Sequence, residues 1–195
     1  MKKTFFLSVL IITIALTACK KDAVDNTVTC ADSVNRDMEN FFNTLHSSSN
    51  YELYETMDLT THEFTFTTNG NLQICGFGYK SQDPSLDYEI KLKDSINGTV
   101  IYQGNFSFSS TQFDYVDVPP ISLSPGTYTL SRTVTNPSNL SDTIGPITKT
   151  SSSNNSPLFP VSTPDFDITS SNFYGMGGPV PDYGIPNIYF EYITP

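Results

Sequence analysis

His62-Glu63-Phe64-Thr65-Phe66-Thr67-Thr68-Asn69-Gly70-Asn71-Leu72-Gln73-Ile74-Cys75-Gly76-Phe77-Gly78-Tyr79 is the stretch that decides the fold. Successive side chains of an extended chain point to opposite faces, so Phe64 and Phe66 share one face and Glu63, Thr65 and Thr67 the other. Asn69-Gly70 is a favoured centre for a tight hairpin turn because both residue types tolerate positive φ. The reading predicts that Leu72 to Tyr79 returns antiparallel to His62 to Thr67.

The same pattern continues downstream. Tyr88-Glu89-Ile90-Lys91-Leu92-Lys93 alternates apolar and charged residues, and Asn97-Gly98 then feeds Thr99 to Tyr102 as a second hairpin. Phe106 and Phe108 alternate with serines, and Phe113 to Val118 alternates around Asp114 and Asp117. Pro119-Pro120 interrupts the ladder by removing two donors before Ile121-Ser122-Leu123 resumes it. Pro125-Gly126 is a turn centre, and from Thr127 onward Tyr128, Leu130 and Val134 oppose Thr129, Ser131 and Thr133. Asn187 to Ile193 reads as a final strand. Only Ala23 and Ala31 are alanines after Cys19, which is β and not helix composition. The exception is Val34, Met38, Phe41, Phe42 and Leu45, at helical spacing behind Asp32 and Ser33, which predicts a short helix near residues 33–46. From Asn136 to Pro164 the chain is rich in Ser, Thr, Asn and Pro and is read as exposed loops, with Thr143 to Lys149 as one short edge strand. The fold class is all-β, an antiparallel β-sandwich of jelly-roll-like form with a short N-terminal helix.

Ten Lys plus Arg against 20 Asp plus Glu give a formal charge of −10, so the clustered cations that nucleic-acid binding needs are missing. Charged residues are only 15% of the chain, which argues against a charge-rich bundle or coiled coil. At the N-terminus Lys2 and Lys3 precede an uncharged apolar run from Thr4 to Ala18, the order and size of a secretory signal and too short to span a bilayer. The run ends Leu16-Thr17-Ala18-Cys19, which resembles the bacterial lipobox. The resemblance implies cleavage before Cys19, a diacylglycerol thioether on its sulfur, and residues 19–31 as a lipidated tether to a domain over 32–195. Several acyl chains anchor firmly where one binds only marginally. Loss of Lys2 and Lys3 with the leader leaves 8 basic against 20 acidic residues, a formal −12, so attachment to an anionic membrane falls to the lipid.

Lys20-Lys21-Asp22 and the polar residues after it are similar to the segments that follow the lipidated cysteine in lipoproteins of the Bacteroidetes type. That resemblance implies the outer membrane or cell surface, with a periplasm-facing orientation left open. The block His62 to Val134 resembles β-sandwich modules of secreted bacterial proteins related in shape to carbohydrate-binding jelly rolls. Its carriers are Phe64-Thr65-Phe66, Gly76-Phe77-Gly78-Tyr79, Tyr88 to Leu92 and Ile121 to Tyr128. The resemblance brings no catalytic motif.

With Cys19 taken by lipid, Cys30 and Cys75 are left either to pair in an oxidising compartment or to sit as small buried hydrophobes. No nucleophile elbow, phosphate loop or paired-histidine zinc motif is present, and His46 and His62 are the only imidazoles. A histidine on a sandwich strand is far more often solvated or hydrogen-bonded than catalytic. Phe173 to Gly184 forms a Gly- and Pro-rich loop in which Tyr174, Asp182 and Tyr183 are the candidate ligand-binding residues. An aromatic ring stacks on a sugar face while a carboxylate takes its hydroxyl protons. The structural alternative packs both tyrosines over the open end of the sandwich. No cofactor is called for beyond a structural calcium on Asp114 with Asp117 or Asp165 with Asp167, each pair short of the six to eight oxygens calcium takes. The functional expectation is a lipid-anchored, non-enzymatic envelope module that binds a glycan or a protein partner through end loops. A glycan-acting hydrolase-like jelly roll and a purely structural envelope subunit are the alternatives.

Overall fold

A computed structural model describes residues 30, 37–48, 50–57, 60–81, 83–136, 144–151, 159–175 and 178–195. The expected leader, Cys19 and the expected helix caps Asp32 and Ser33 lie outside the described residues. Among the described residues one helix, α1 (Asp37–Ser47), precedes thirteen strands. These are β1 (Tyr51–Met57), β2 (Thr61–Thr68), β3 (Leu72–Tyr79), β4 (Asp87–Asp94), β5 (Val100–Ser107), β6 (Asp114–Leu123) and β7 (Gly126–Val134). They continue with β8 (Ile144–Thr150), β9 (Val161–Ser162), β10 (Phe166–Gly175), β11 (Gly178–Pro181), β12 (Ile185–Pro186) and β13 (Tyr189–Ile193). The fold is an all-β antiparallel sandwich with a short helix. Its largest sheet runs β11-β10-β2-β7-β4-β5 with β9 beside β10, and two three-stranded sheets run β13-β3-β6 and β1-β8-β12.

Alternation fixes the inner face. Along β2 burial alternates without exception, and His62, Phe64, Phe66 and Thr68 point inward. Phe66 has ring contacts with Phe64, Tyr128, Phe166 and Phe190 at 5.2 to 6.0 Å between centroids, so strands of two sheets meet around it. Aromatic pairs at such separations add about 0.5–1.5 kcal/mol beyond the area they bury.

The expected first hairpin is a corner instead. β2 pairs with β7 and β10, whereas β3 pairs with β6 and β13, so the chain changes sheet at Asn69-Gly70. Among the described residues the positive-φ positions are Asp182, Gly98 and Gly178, so Asn69 and Gly70 do not take the left-handed conformation a two-residue hairpin turn requires. The Thr68 hydroxyl donates to the Gly70 carbonyl at 2.7 Å and braces the corner. Phe64 and Phe66 thereby face Leu72, Ile74 and Phe77 within one core. At Asn97-Gly98 the hairpin forms as expected, with Gly98 at φ 72°. The Asp94 carboxylate accepts from the amides of Ile96 and Asn97 there.

Two further readings are corrected. Residues 144–150 are no edge strand: β8 is the buried centre of its sheet, between β12 and β1, a strand the sequence reading missed. Phe173 to Gly184 is no loop: most of it belongs to a hairpin in which β10 pairs with β11 from Asn172↔Pro181 to Gly175↔Gly178. His62 is buried, packing edge-on against Phe173 at 4.7 Å. The prolines act as expected, since the β3–β6 register shifts between Ile74↔Ile121 and Gly76↔Asp117, around Pro119-Pro120. α1 buries Met38 and Phe42 and half-buries Phe41 and Leu45, and Phe42 stacks on Tyr189 at 4.9 Å. Val34 lies outside the described residues.

Cys30 and Cys75 are joined by a disulfide with Cα atoms 5.5 Å apart and 45 residues of separation. In the chain-entropy account a loop of that length contributes about 4 kcal/mol by restricting the denatured state.

Burial, and after it the charge of Arg132, hold the His62 imidazole well below its ordinary pKa of 6.5, and burial lowers His46 as well. A histidine depressed in the folded state leaves stability whole above the unfolded value and removes it as pH falls, because the unfolded chain then binds more protons. We expect the unfolding free energy to fall between pH 7 and pH 5. In His62→Phe, which keeps a ring against Phe173, that slope should shrink to the part belonging to His46; an unchanged slope by urea titration contradicts the assignment.

Candidate functional site

The strand β10 places the candidate residues. Phe173 points inward and is 1% exposed, so its neighbour Tyr174 stands on the outer face and is 36% exposed. The register sets Asn172 opposite Glu63 and Tyr174 opposite Thr61, and the Tyr174 hydroxyl donates to Glu63 Oε1 at 2.8 Å. Partial burial, then that bond and the carboxylate's charge, push the Tyr174 phenol up to about 12. The ring is therefore neutral and held in place over a polar sheet.

The face around it is lined by hydroxyls. Thr61, Thr65 and Thr67 on β2 meet Thr133, Thr129 and Thr127 on β7 at 2.8, 3.3 and 3.1 Å between hydroxyl oxygens. Such cross-strand pairs each add a few tenths of a kcal/mol to the sheet. Further along, Glu89 accepts from Gln103 at 2.6 Å and pairs with Lys91 at 2.7 Å. The face thus offers an exposed ring, carboxylates and many hydroxyl and amide groups.

Asp182 and Tyr183 belong elsewhere. Asp182 takes φ 53° at the end of β11, its amide donates to the Ser171 carbonyl at 2.9 Å, and its carboxylate accepts from the Ser171 amide at 2.9 Å. Aspartate tolerates the left-handed region when its side chain bonds locally, so Asp182 closes the hairpin. The Tyr183 ring packs edge-on against Phe173 at 6.1 Å, on the inward side of β10, and Lys149 Nζ lies 4.0 Å from its centroid. Tyr54 takes the same ammonium at 4.5 Å. Lys149 is only 5% exposed, and a desolvated cation between two rings gains about 2 kcal/mol or more. Gly184 follows because a Cβ there would come within 2.9 Å of Ile147 and 3.1 Å of the Thr148 carbonyl. Alternation along β10 therefore separates Tyr174 from Tyr183, and the expected three-residue sugar site is not assembled.

Both imidazoles are committed to packing. Thr148, fully buried, donates to Asn187 Oδ1 at 2.8 Å, so its oxygen accepts from His46 Nε2, also at 2.8 Å. This relay fastens α1 to β8. The residue that sequence reading passed over is Arg132, which shares the inward face of β7 with Leu130 and Val134 and is wholly buried. Its guanidinium lies 5.1 Å from the Tyr79 ring and 5.2 Å from that of Tyr88. The signal was available, since position 132 has the parity of Tyr128 and Leu130.

Among the described residues no three His, Cys, Asp or Glu side chains form a group able to hold a metal ion. Of the calcium candidates, Asp165 accepts from the Tyr192 hydroxyl at 2.8 Å and Asp114 from the Ser109 amide at 3.3 Å. A cavity of about 310 Å³ opens beside α1, lined by Asn40, Phe41, Thr44, Thr163, Phe166 and Tyr192 among others. None of the sequence-predicted binding residues lines it. No helix among the described residues is long and apolar enough to cross a membrane. No family model matches the chain, and no curated protein matches it.

The two tyrosines should separate in stability. Tyr183→Ala removes a wall of the Lys149 cage and a contact to Phe173 and is expected to cost about 2 kcal/mol. Tyr174→Ala, on an exposed ring with one surface hydrogen bond, is expected to cost less than about 1 kcal/mol. Chemical denaturation of the two variants checks the order.

Proposed function

We propose that this chain is a lipid-anchored protein of the cell envelope whose sandwich binds an extracellular or periplasmic partner without catalysis. The observation that carries the reading is Leu16-Thr17-Ala18-Cys19 at the end of an uncharged apolar run behind Lys2 and Lys3. A polar stretch then leads to Cys30, whose bond to Cys75 ties the tether to β3. A disulfide suits an oxidising compartment on the far side of the inner membrane.

The binding reading rests on the outer face of the seven-stranded sheet, and it moves the contact from the end loops to that face. A pyranose stacks its apolar face on an aromatic ring and bonds its hydroxyls to carboxylates and amides. Tyr174 with Glu63 is an aromatic and carboxylate pair of this kind, on a hydroxyl-rich floor that suits a polyhydroxylated chain. The non-catalytic reading draws on the commitment of His46 and His62 to packing and of Asp182 to its turn.

Cys19→Ala should move the full chain from the membrane fraction to the soluble fraction with its melting unchanged; a variant still in the membrane pellet contradicts the anchor. On immobilised polysaccharides of the envelope, Tyr174→Ala should lose retention while Tyr183→Ala, assayed where it is folded, keeps it. Equal retention of Tyr174→Ala and the parent would remove the face from consideration.

A further inference from the structure

A strand at the edge of a sheet exposes unpaired amides and carbonyls, and natural proteins protect such edges with proline, charge, shortness or a covering element. Most edges described here are protected in one of these ways. β11 carries Pro179 and Pro181, β6 carries Pro119, Pro120, Asp114 and Asp117, β1 carries Glu52 and Glu55, and β12 has two residues, one of them Pro186. At β13 the Phe190 amide donates to the Met38 sulfur of α1 at 3.2 Å, so the helix covers that edge.

β5 is the exception among the described strands. It is the outer strand of the seven-stranded sheet, eight residues long, Val100-Ile101-Tyr102-Gln103-Gly104-Asn105-Phe106-Ser107, with no charge and no proline. Val100 is 48% and Ile101 37% exposed, and Gln103, Asn105 and Ser107 are exposed on the outer face. Tyr102 and Phe106, on the inner face, rest on Phe77 at 5.4 and 6.4 Å but are only half-buried.

We propose that β5 pairs antiparallel with β5 of a second copy of this chain, joining two seven-stranded sheets across a twofold axis. A twofold interface must be self-complementary, each residue meeting its counterpart reciprocally. Centred on Gly104, the pairing sets Tyr102 opposite Phe106 of the second copy and Gln103 opposite Asn105. An aromatic pair then lies on the inner face on each side of the axis and an amide pair on the outer face, the kinds of cross-strand pair that stabilise sheets. Gly104 stands on the axis, where the Tyr102 hydroxyl and the Phe106 ring already lie over its Cα. Charge favours the same occupant. The whole chain carries −10, yet β5 carries none and β4 behind it sets Lys91 and Lys93 against Asp87, Glu89 and Asp94. The uncharged edge strand lets two acidic bodies approach without like charges facing each other across the seam.

The pairing does not depend on the lipid anchor, so it is tested with the full chain and in the Cys19→Ala background. Analytical ultracentrifugation should give twice the mass of one chain, falling to one chain in Gln103→Lys/Asn105→Lys with unchanged melting. Those side chains are exposed, and each lysine would face its counterpart's lysine across the axis. In Gln103→Cys/Asn105→Cys, mild oxidation should yield a disulfide-linked dimer on non-reducing gels that the parent and Glu52→Cys do not form. A single-chain mass at every concentration overturns the proposal. So does an assembly that survives the lysine pair, or a double-cysteine variant that forms no more dimer than its controls.

Discussion

Burial of Phe66 among rings from several strands is the contact on which the rest of the structure depends. It draws β2, β7 and β10 of the large sheet against β13 of the small one through Tyr128, Phe166 and Phe190. Once that residue faces inward, the period of two fixes the remaining inward positions of β2, and register carries the choice to β7 and β10. A one-residue slip would turn His62 and Phe64 outward and expose Glu63 to the core.

The same constraint explains which parts of the chain were legible. β2, β3, β4, β7 and β13 alternate cleanly or run apolar, and their sequence reading matches the strands observed. What strict alternation does not encode is the sheet a strand joins. Asn69-Gly70 has the composition of a hairpin turn, but the apolar faces of β2 and β3 are better buried against each other than side by side, and tertiary packing overrides the turn preference. β10 was hidden for a local reason: Ser170, Ser171 and Asn172 interrupt its apolar residues where its register to β2 shifts between Ile168 and Ser170. β1 was hidden because four of its residues, Glu52, Leu53, Tyr54 and Glu55, are exposed in succession.

The candidate site was legible in composition and not in geometry. An aromatic and acidic cluster around Tyr174, Asp182 and Tyr183 is visible in the chain, but adjacent strand residues diverge, and Phe173 and Tyr174 send their rings to opposite faces. Asp182 is taken by a backbone conformation that few other residues adopt, and Tyr183 by the ammonium of Lys149, which lies on a different strand, β8. Glu63, the partner that positions Tyr174, is 111 residues distant in sequence and reached its place only through the β2–β10 register. Arg132 shows the complementary error: a charged residue at an inward position is discounted by its type, although its planar head lies against two tyrosine rings.

The disulfide has a mechanical meaning. Tension applied to the chain ahead of Cys30 bypasses α1 and enters the body at Cys75, in a strand bonded to β13 on one side and β6 on the other. Detaching that strand requires two ladders to yield together, whereas a load carried through residue 37 would first peel a single eleven-residue helix from the surface. The crosslink therefore passes such a load to two ladders at once and spares the helix.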